Sequence, residues 1–219
     1  MNPKKRKVKK TGLKFMNIRP PKVQSEYLCP KNKTIILSTI DYNPASIRQK
    51  ANQRKAANKE LLNRIKRRAP QNLDYIMQEL HEQAFQEIDC LTCGNCCRTT
   101  SPIITDRDID RLARSLRKKP GELIQEYMRL DDDGDYVFRS APCPFLQDDN
   151  YCSVYEDRPN ACRTYPHTDR KKFHQLTELT FRNSFICPAV QRVLKLLENN
   201  LKDRKSTRLN SSHLVISYA

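Results

Sequence analysis

Cys90-Leu91-Thr92-Cys93-Gly94-Asn95-Cys96-Cys97 places four thiols within eight residues. Cys-x-x-Cys spacing lets two thiolates reach one ion, because a short turn folds both side chains to the same side. Gly94 and Asn95 supply turn-compatible residues between Cys93 and Cys96. Cys96 and Cys97 are adjacent, and the side chains of adjacent residues diverge. The pair therefore points to two ions, or to two corners of one cluster.

Further along the chain, Cys143 precedes Pro144, Cys152 follows the turn Asp148-Asp149-Asn150, Cys162 follows Arg158-Pro159, and Cys187 precedes Pro188. Each stands at a boundary between expected elements, where ligands from distant segments are easily brought together. Cys29 stands apart and reads as a bystander, a small apolar side chain. Three chemistries compete for the other eight: burial, disulfide pairing and metal ligation. The basic N-terminus is followed by no apolar stretch of the kind a secretory leader needs. Crowded cysteines in a reducing cytoplasm point to ligation. The expected metal ligands are Cys90, Cys93, Cys96, Cys97, Cys143, Cys152, Cys162 and Cys187. Zinc and an iron–sulfur cluster both accept four thiolates, so the metal stays open. His167 and His174 read as surface or capping residues, or as outer-sphere partners or an occasional ligand. Arg98, Arg158 and Arg163 flank the thiols, where a cation neutralises thiolate charge.

The chain has 219 residues, a net charge of +16, 37% hydrophobic residues and a mean hydropathy of -0.80. That composition suits a modest folded unit with polar extensions, and no window holds the roughly 18 apolar residues of a membrane span. The charge is concentrated: residues 1–68 hold 20 Lys+Arg against 3 Asp+Glu, and residues 69–219 hold 21 against 22. A phosphate-binding argument therefore applies to the N-terminal arm alone.

Residues 1–43 read as an irregular basic segment. Within it Pro3-Lys4-Lys5-Arg6-Lys7-Val8 is identical to a well-known viral nuclear import signal, but an expression tag or a chance basic run is the favoured reading. Residues 44–69 read as a basic helical arm, largely solvated, with a narrow stripe of Ile47, Ala51, Leu61, Leu62 and Ile65. Helix is expected over 71–88, 106–116, 120–130, 170–182 and 188–201. Asp132-Asp133-Gly134-Asp135 is a turn before a short strand at Tyr136–Phe138, and residues 145–155 form a tight loop or hairpin. Residues 70–205 make the cysteine-cluster domain. Ser206–Ala219 resembles translated sequencing adapter and is set aside. The fold class is α+β, mainly helical: a small irregular metal-centred domain with a short β-hairpin and a basic N-terminal helical extension.

In order along the chain stand Cys90-x-x-Cys93-Gly-x-Cys96-Cys97, Ser101-Pro102-Ile103, Thr105-Asp106-x-Asp108-Ile109, Cys143-Pro144-Phe145-Leu146, Cys152-Ser153-Val154-Tyr155-Glu156-x-Arg158-Pro159-x-x-Cys162-Arg163-x-Tyr165-Pro166 and Cys187-Pro188. Over about residues 70–200 this series resembles the YkgJ-type cysteine-cluster family of bacterial zinc- or iron-chelating proteins. The resemblance implies a cytoplasmic metal-chelating domain whose eight cysteines map onto the eight named above. Many members separate the first two cysteines by three residues, whereas Cys90 and Cys93 are separated by two.

Three functions follow from these readings. One is a metal-binding protein of unassigned role. Another is an iron–sulfur-dependent enzyme similar to the flagellin lysine methylases, which share the cysteine pattern. With only Gly12, Gly94, Gly121 and Gly134 in the chain, a separate glycine-rich methyl-donor motif is absent. The last is a nucleic-acid-binding protein that uses residues 1–68.

Overall fold

The computed structural model describes residues 40–211, with side chains as far as residue 203. Cys29, the Pro3–Val8 run and the last eight residues of the adapter-like tail lie outside the described residues.

Two apolar cores organise the described chain. The first is built from α2 (Lys55–Arg67), α3 (Leu73–Glu87) and α10 (Pro188–Ser211). Leu61, Leu62 and Ile65 of α2 meet Ile76, Met77 and Leu80 of α3 and Val190, Val193, Leu194 and Leu197 of α10, with Phe173 fully buried among them. Burying each such side chain stabilises the fold by roughly 1.5–3 kcal/mol before entropy is counted. Preceding α2, α1 (Pro44–Gln53) starts where Asn43 caps Ala45 N at 2.9 Å, and it is pinned to α10 by Gln191 Nε2 donating to Ile47 O at 2.7 Å.

The solvated arm expected over 44–69 is therefore corrected. All five residues of its stripe are buried, at 1–6% exposure. The chain also turns at Arg54, which pairs with Glu198 of α10. A stripe that looks narrow in sequence is wide enough because residues 173–183 pack over α2 and share its core.

The second core gathers around a three-stranded antiparallel sheet. Its order is β1 (Ile103–Ile104), β3 (Tyr136–Phe138), β2 (Met128–Leu130), with Ile103 opposite Val137 and Met128 opposite Phe138. Against it pack α6 (Asp106–Ser115) and α7 (Pro120–Tyr127). A capping box of Thr105 and Asp108 starts α6, and Pro120 starts α7. Between the cores lie two short helices, α4 (Cys90–Cys93) and α5 (Asn95–Thr99). The four-residue α8 (Asn160–Arg163) follows the 3-10 turn Tyr155–Asp157, and α9 (Thr177–Asn183) precedes α10.

Two expected helices are shorter than periodicity suggests. The one expected to reach Leu130 stops at Tyr127, because Met128–Leu130 pairs with β3 and buries Met128 at 1% exposure. Ile103–Ile104 pairs on the other side, so the expected hairpin is a three-stranded sheet. Of residues 170–182, only those from Thr177 onward are α-helical. There Lys172 adopts a left-handed φ of 58°, and Asp74 accepts from Lys172 N at 2.7 Å and Phe173 N at 3.0 Å. That contact turns Phe173 into the first core.

Candidate metal centre

Local chemistry shapes the cysteine-rich turn. Asp89 caps α4, accepting from Leu91 N at 2.9 Å and Thr92 Oγ1 at 3.0 Å. Gly94 then takes φ 55°, a left-handed conformation that costs a residue with a Cβ, and separates α4 from α5. A Cβ there would also lie 2.6 Å from Arg98 Nη1 and 2.9 Å from Asn150 Oδ1.

The crowding reflects two ties that spacing alone did not reveal. Arg98 donates to Cys93 O at 2.9 Å and to the Asn150 side chain, and Asn150 Nδ2 donates to Leu91 O at 2.6 Å. This joins the turn to the loop that ends in Cys152. That loop is closed by the antiparallel bridge between Leu146 and Cys152 and by Gln147 N donating to Tyr151 O at 2.8 Å. On the other side, Asn95 Nδ2 donates to Ile186 O at 2.7 Å, which brings in the residue before Cys187.

The eight thiols, all free, adjoin two neighbourhoods. Cys90, Cys93, Cys96 and Cys187 line one cavity of about 30 Å³, walled by Phe85, Ile88, Tyr165, Pro166 and Pro188. Cys187 also packs against the first core. In the second group, Cys143 and Cys152 pack against the second core, and Cys143 N donates to Cys97 O at 2.8 Å. Cys162 feels the charges of Cys143, Cys97 and Cys152, and Cys97 is felt by Cys90 and Cys93 as well. Cys96 and Cys97 form the junction, with Sγ atoms 3.9 Å apart. Both groups are gathered but open. Among the described residues, no group of three or more His, Cys, Asp or Glu side chains stands close enough to hold a metal ion.

Burial dominates the electrostatics. It pushes the Cys143 thiol up to about 11, and Cys162 and Cys187 up to about 12. Burial, followed by neighbouring thiols, raises Cys90 as well. At the junction the hydrogen bond from Cys96 lowers Cys97, and the same bond raises Cys96. Thiols held protonated bind metal only by releasing those protons.

Among the flanking arginines, Arg158 lies 3.8 Å above the Tyr155 ring and lowers Cys152 and Cys162 against the larger effect of burial. Arg163 donates to Glu156 O at 2.6 Å, and Arg98 makes the tie already described. Neither histidine lines the cavity. His167 Nδ1 lies 3.1 Å from Thr164 Oγ1, and His174 sits on the 3-10 turn Phe173–Gln175.

Two polar atoms beside the first group are buried without a partner, Tyr165 Oη and Asn95 Oδ1. An unmet buried group costs about 1–3 kcal/mol. The donor set of eight free thiols, with an orphaned hydroxyl on a residue that lines the cavity of four of them, suits zinc or iron.

Residues 89–180 match the CxxCxxCC family model, described as "Putative zinc- or iron-chelating domain". Seven of the eight clustered cysteines fall in that span. The eighth, Cys187, lies beyond it and is carried to the others by the fold. No curated protein and no solved structure matches the chain.

Proposed function

We propose that the chain binds metal at two four-thiolate sites, a reading that the match of residues 89–180 to the chelating-domain model supports. Cys90, Cys93, Cys96 and Cys187 form one, and Cys97, Cys143, Cys152 and Cys162 form the other. The observation that supports this reading is the cavity shared by Cys90, Cys93, Cys96 and Cys187, with Cys143 and Cys152 packed on the other core and the Cys96 and Cys97 sulfurs 3.9 Å apart.

As thiolates, these side chains would hold zinc or iron. Bound metal supplies cross-links where the backbone is irregular, joining α4 and α5 to the α10 side through Cys187 and to the sheet side through Cys143, Cys152 and Cys162. Arg98 and Arg158 offset part of the negative charge that four thiolates place at each centre. Eight reduced thiols belong in a reducing compartment, and the cytoplasm supplies one.

Metal analysis of the full chain, purified without oxygen, tests the assignment. The expected content is about two zinc ions per chain, or two iron-containing centres, one for each set of four thiolates. Cys162→Ser and Cys187→Ser should each remove one centre, and Cys29→Ser neither. Full metal content in both ligand variants refutes the assignment.

A second reading rests on α1 and α2. Burial of their apolar stripe leaves Arg48, Lys50, Lys55, Lys59, Lys66, Arg67 and Arg68 exposed, with Glu60 the only acidic residue on these helices. Such a face suits the phosphates of a nucleic acid. Replacing Lys55, Lys59 and Lys66 with Glu should then weaken duplex binding and flatten its salt dependence. Unchanged binding removes this reading.

A further inference from the structure

The chain that delivers Cys162 to one thiol group also delivers a phenol to the other. Tyr165 follows α8 by two residues, and its N–H donates to Cys162 O at 3.4 Å. Its ring turns away from the Cys162 group into the cavity lined by Cys90, Cys93, Cys96 and Cys187. There the hydroxyl is buried and unpartnered.

The walls around it offer little else. Phe85, Ile88, Pro166, Ile186 and Pro188 bring no side-chain acceptor. Asn95 commits its amide nitrogen to Ile186 O, and its oxygen is not bonded to the phenol. The remaining side-chain acceptors are the four sulfurs. A neutral thiol is a poor acceptor, whereas a metal-bound thiolate is a good one and gains from a donor beside it.

We propose that the Tyr165 hydroxyl donates a hydrogen bond to a metal-bound sulfur of the Cys90, Cys93, Cys96 and Cys187 site. It is a positioning and charge-tuning residue for that site alone. This inference rests on the two-site reading and assigns the sites different surroundings, with a phenol beside one and the Arg158 cation beside the other.

Cobalt loading of the full chain without oxygen tests it. A hydrogen bond lowers the energy of a sulfur lone pair and so raises the energy of sulfur-to-cobalt charge transfer. Tyr165→Phe should move part of that absorption to lower energy at unchanged cobalt stoichiometry. It should also shorten cobalt retention against a chelator by roughly tenfold, as loss of an outer-shell partner does. Tyr75→Phe, exposed on α3, should change neither.

A second measurement needs no variant. In the 113Cd-loaded wild-type chain, the Tyr165 hydroxyl proton should couple to cadmium through its sulfur acceptor. Tyr165→Phe absorption that overlays the wild type, or no such coupling, overturns the inference and leaves chelation standing. A wild-type chain that takes up neither cobalt nor cadmium overturns the two-site reading, and this inference with it.

Discussion

Replacing Asp108 with Asn should destabilise the fold far more than its modest size suggests. The Asp108 side chain is 2% exposed and accepts four hydrogen bonds. Thr105 N donates at 3.1 Å and Thr105 Oγ1 at 2.7 Å, Asn160 N donates at 3.0 Å, and Arg111 completes the set. Arg111 also donates to Asp157 O and Arg158 O. One carboxylate thus starts α6 and fastens the segment that leads into Cys162.

An amide of the same shape keeps one acceptor oxygen and turns an NH2 toward two of those donors. The lost cap contributes about 1 kcal/mol and the weakened charge-assisted bonds about 1.5–3 kcal/mol. Allowing for overlap, urea denaturation of the metal-free proteins should give a loss of roughly 2–4 kcal/mol. The pH dependence supplies a second signature. Burial pushes the carboxyl up, but bonds from Thr105, Asn160 and Arg111 together hold it below its ordinary range. A group lowered on folding stabilises fully above its unfolded value, about 3.9. That contribution fades as pH falls through the folded value. The gap between wild type and Asp108→Asn should therefore be constant near neutrality and shrink below about pH 4. A gap under about 0.5 kcal/mol, the range of an ordinary surface substitution, would falsify the account, as would one that stays constant down to pH 2.

Other consequences are simpler to read. Gly94→Ala forces a left-handed alanine and a clash with Arg98 and Asn150, so it should lose about 1–3 kcal/mol and weaken metal retention; a neutral result in denaturation and metal analysis contradicts the turn geometry. Leu62→Ala on α2 opens the first core and should cost about 2–5 kcal/mol in urea. A loss below about 1 kcal/mol would return α2 to the solvated arm that its composition suggests. Stripping metal with a chelator should lower the thermal midpoint and speed proteolysis near residues 143–162, and readdition should reverse both. Identical melting with and without metal argues against structural ligation.

Much of this protein is legible without coordinates. Helices α3, α6 and α10 follow from apolar residues at three- and four-residue spacing and from local caps, because those signals act within a few residues. The strand Tyr136–Phe138 is legible for the same reason, from its turn and its residue types. The eight cysteines announce themselves by type and crowding. Histidines and arginines near them do not resolve, since their roles depend on where a long side chain ends. Asn95 and Asn150 escaped notice as ties because each bonds a carbonyl far away in sequence, Ile186 and Leu91.

The sequence by itself determined the donor chemistry and the local turns: thiols in Cys-x-x-Cys spacing, a glycine where φ must be positive, and a capping box ahead of α6. Only the tertiary structure decided which distant segments the cysteine-rich turn meets. Cys96 and Cys97 are neighbours along the chain, yet Cys96 shares a cavity with Cys187 while Cys97 accepts a hydrogen bond from Cys143 N. It also decided that α2 is buried, that Met128 ends a helix to join a sheet, and that Tyr165 reaches the cavity opposite the group its own segment supplies. Each of these depends on which distant surface closes over a residue, and spacing along one strand of sequence carries no record of that.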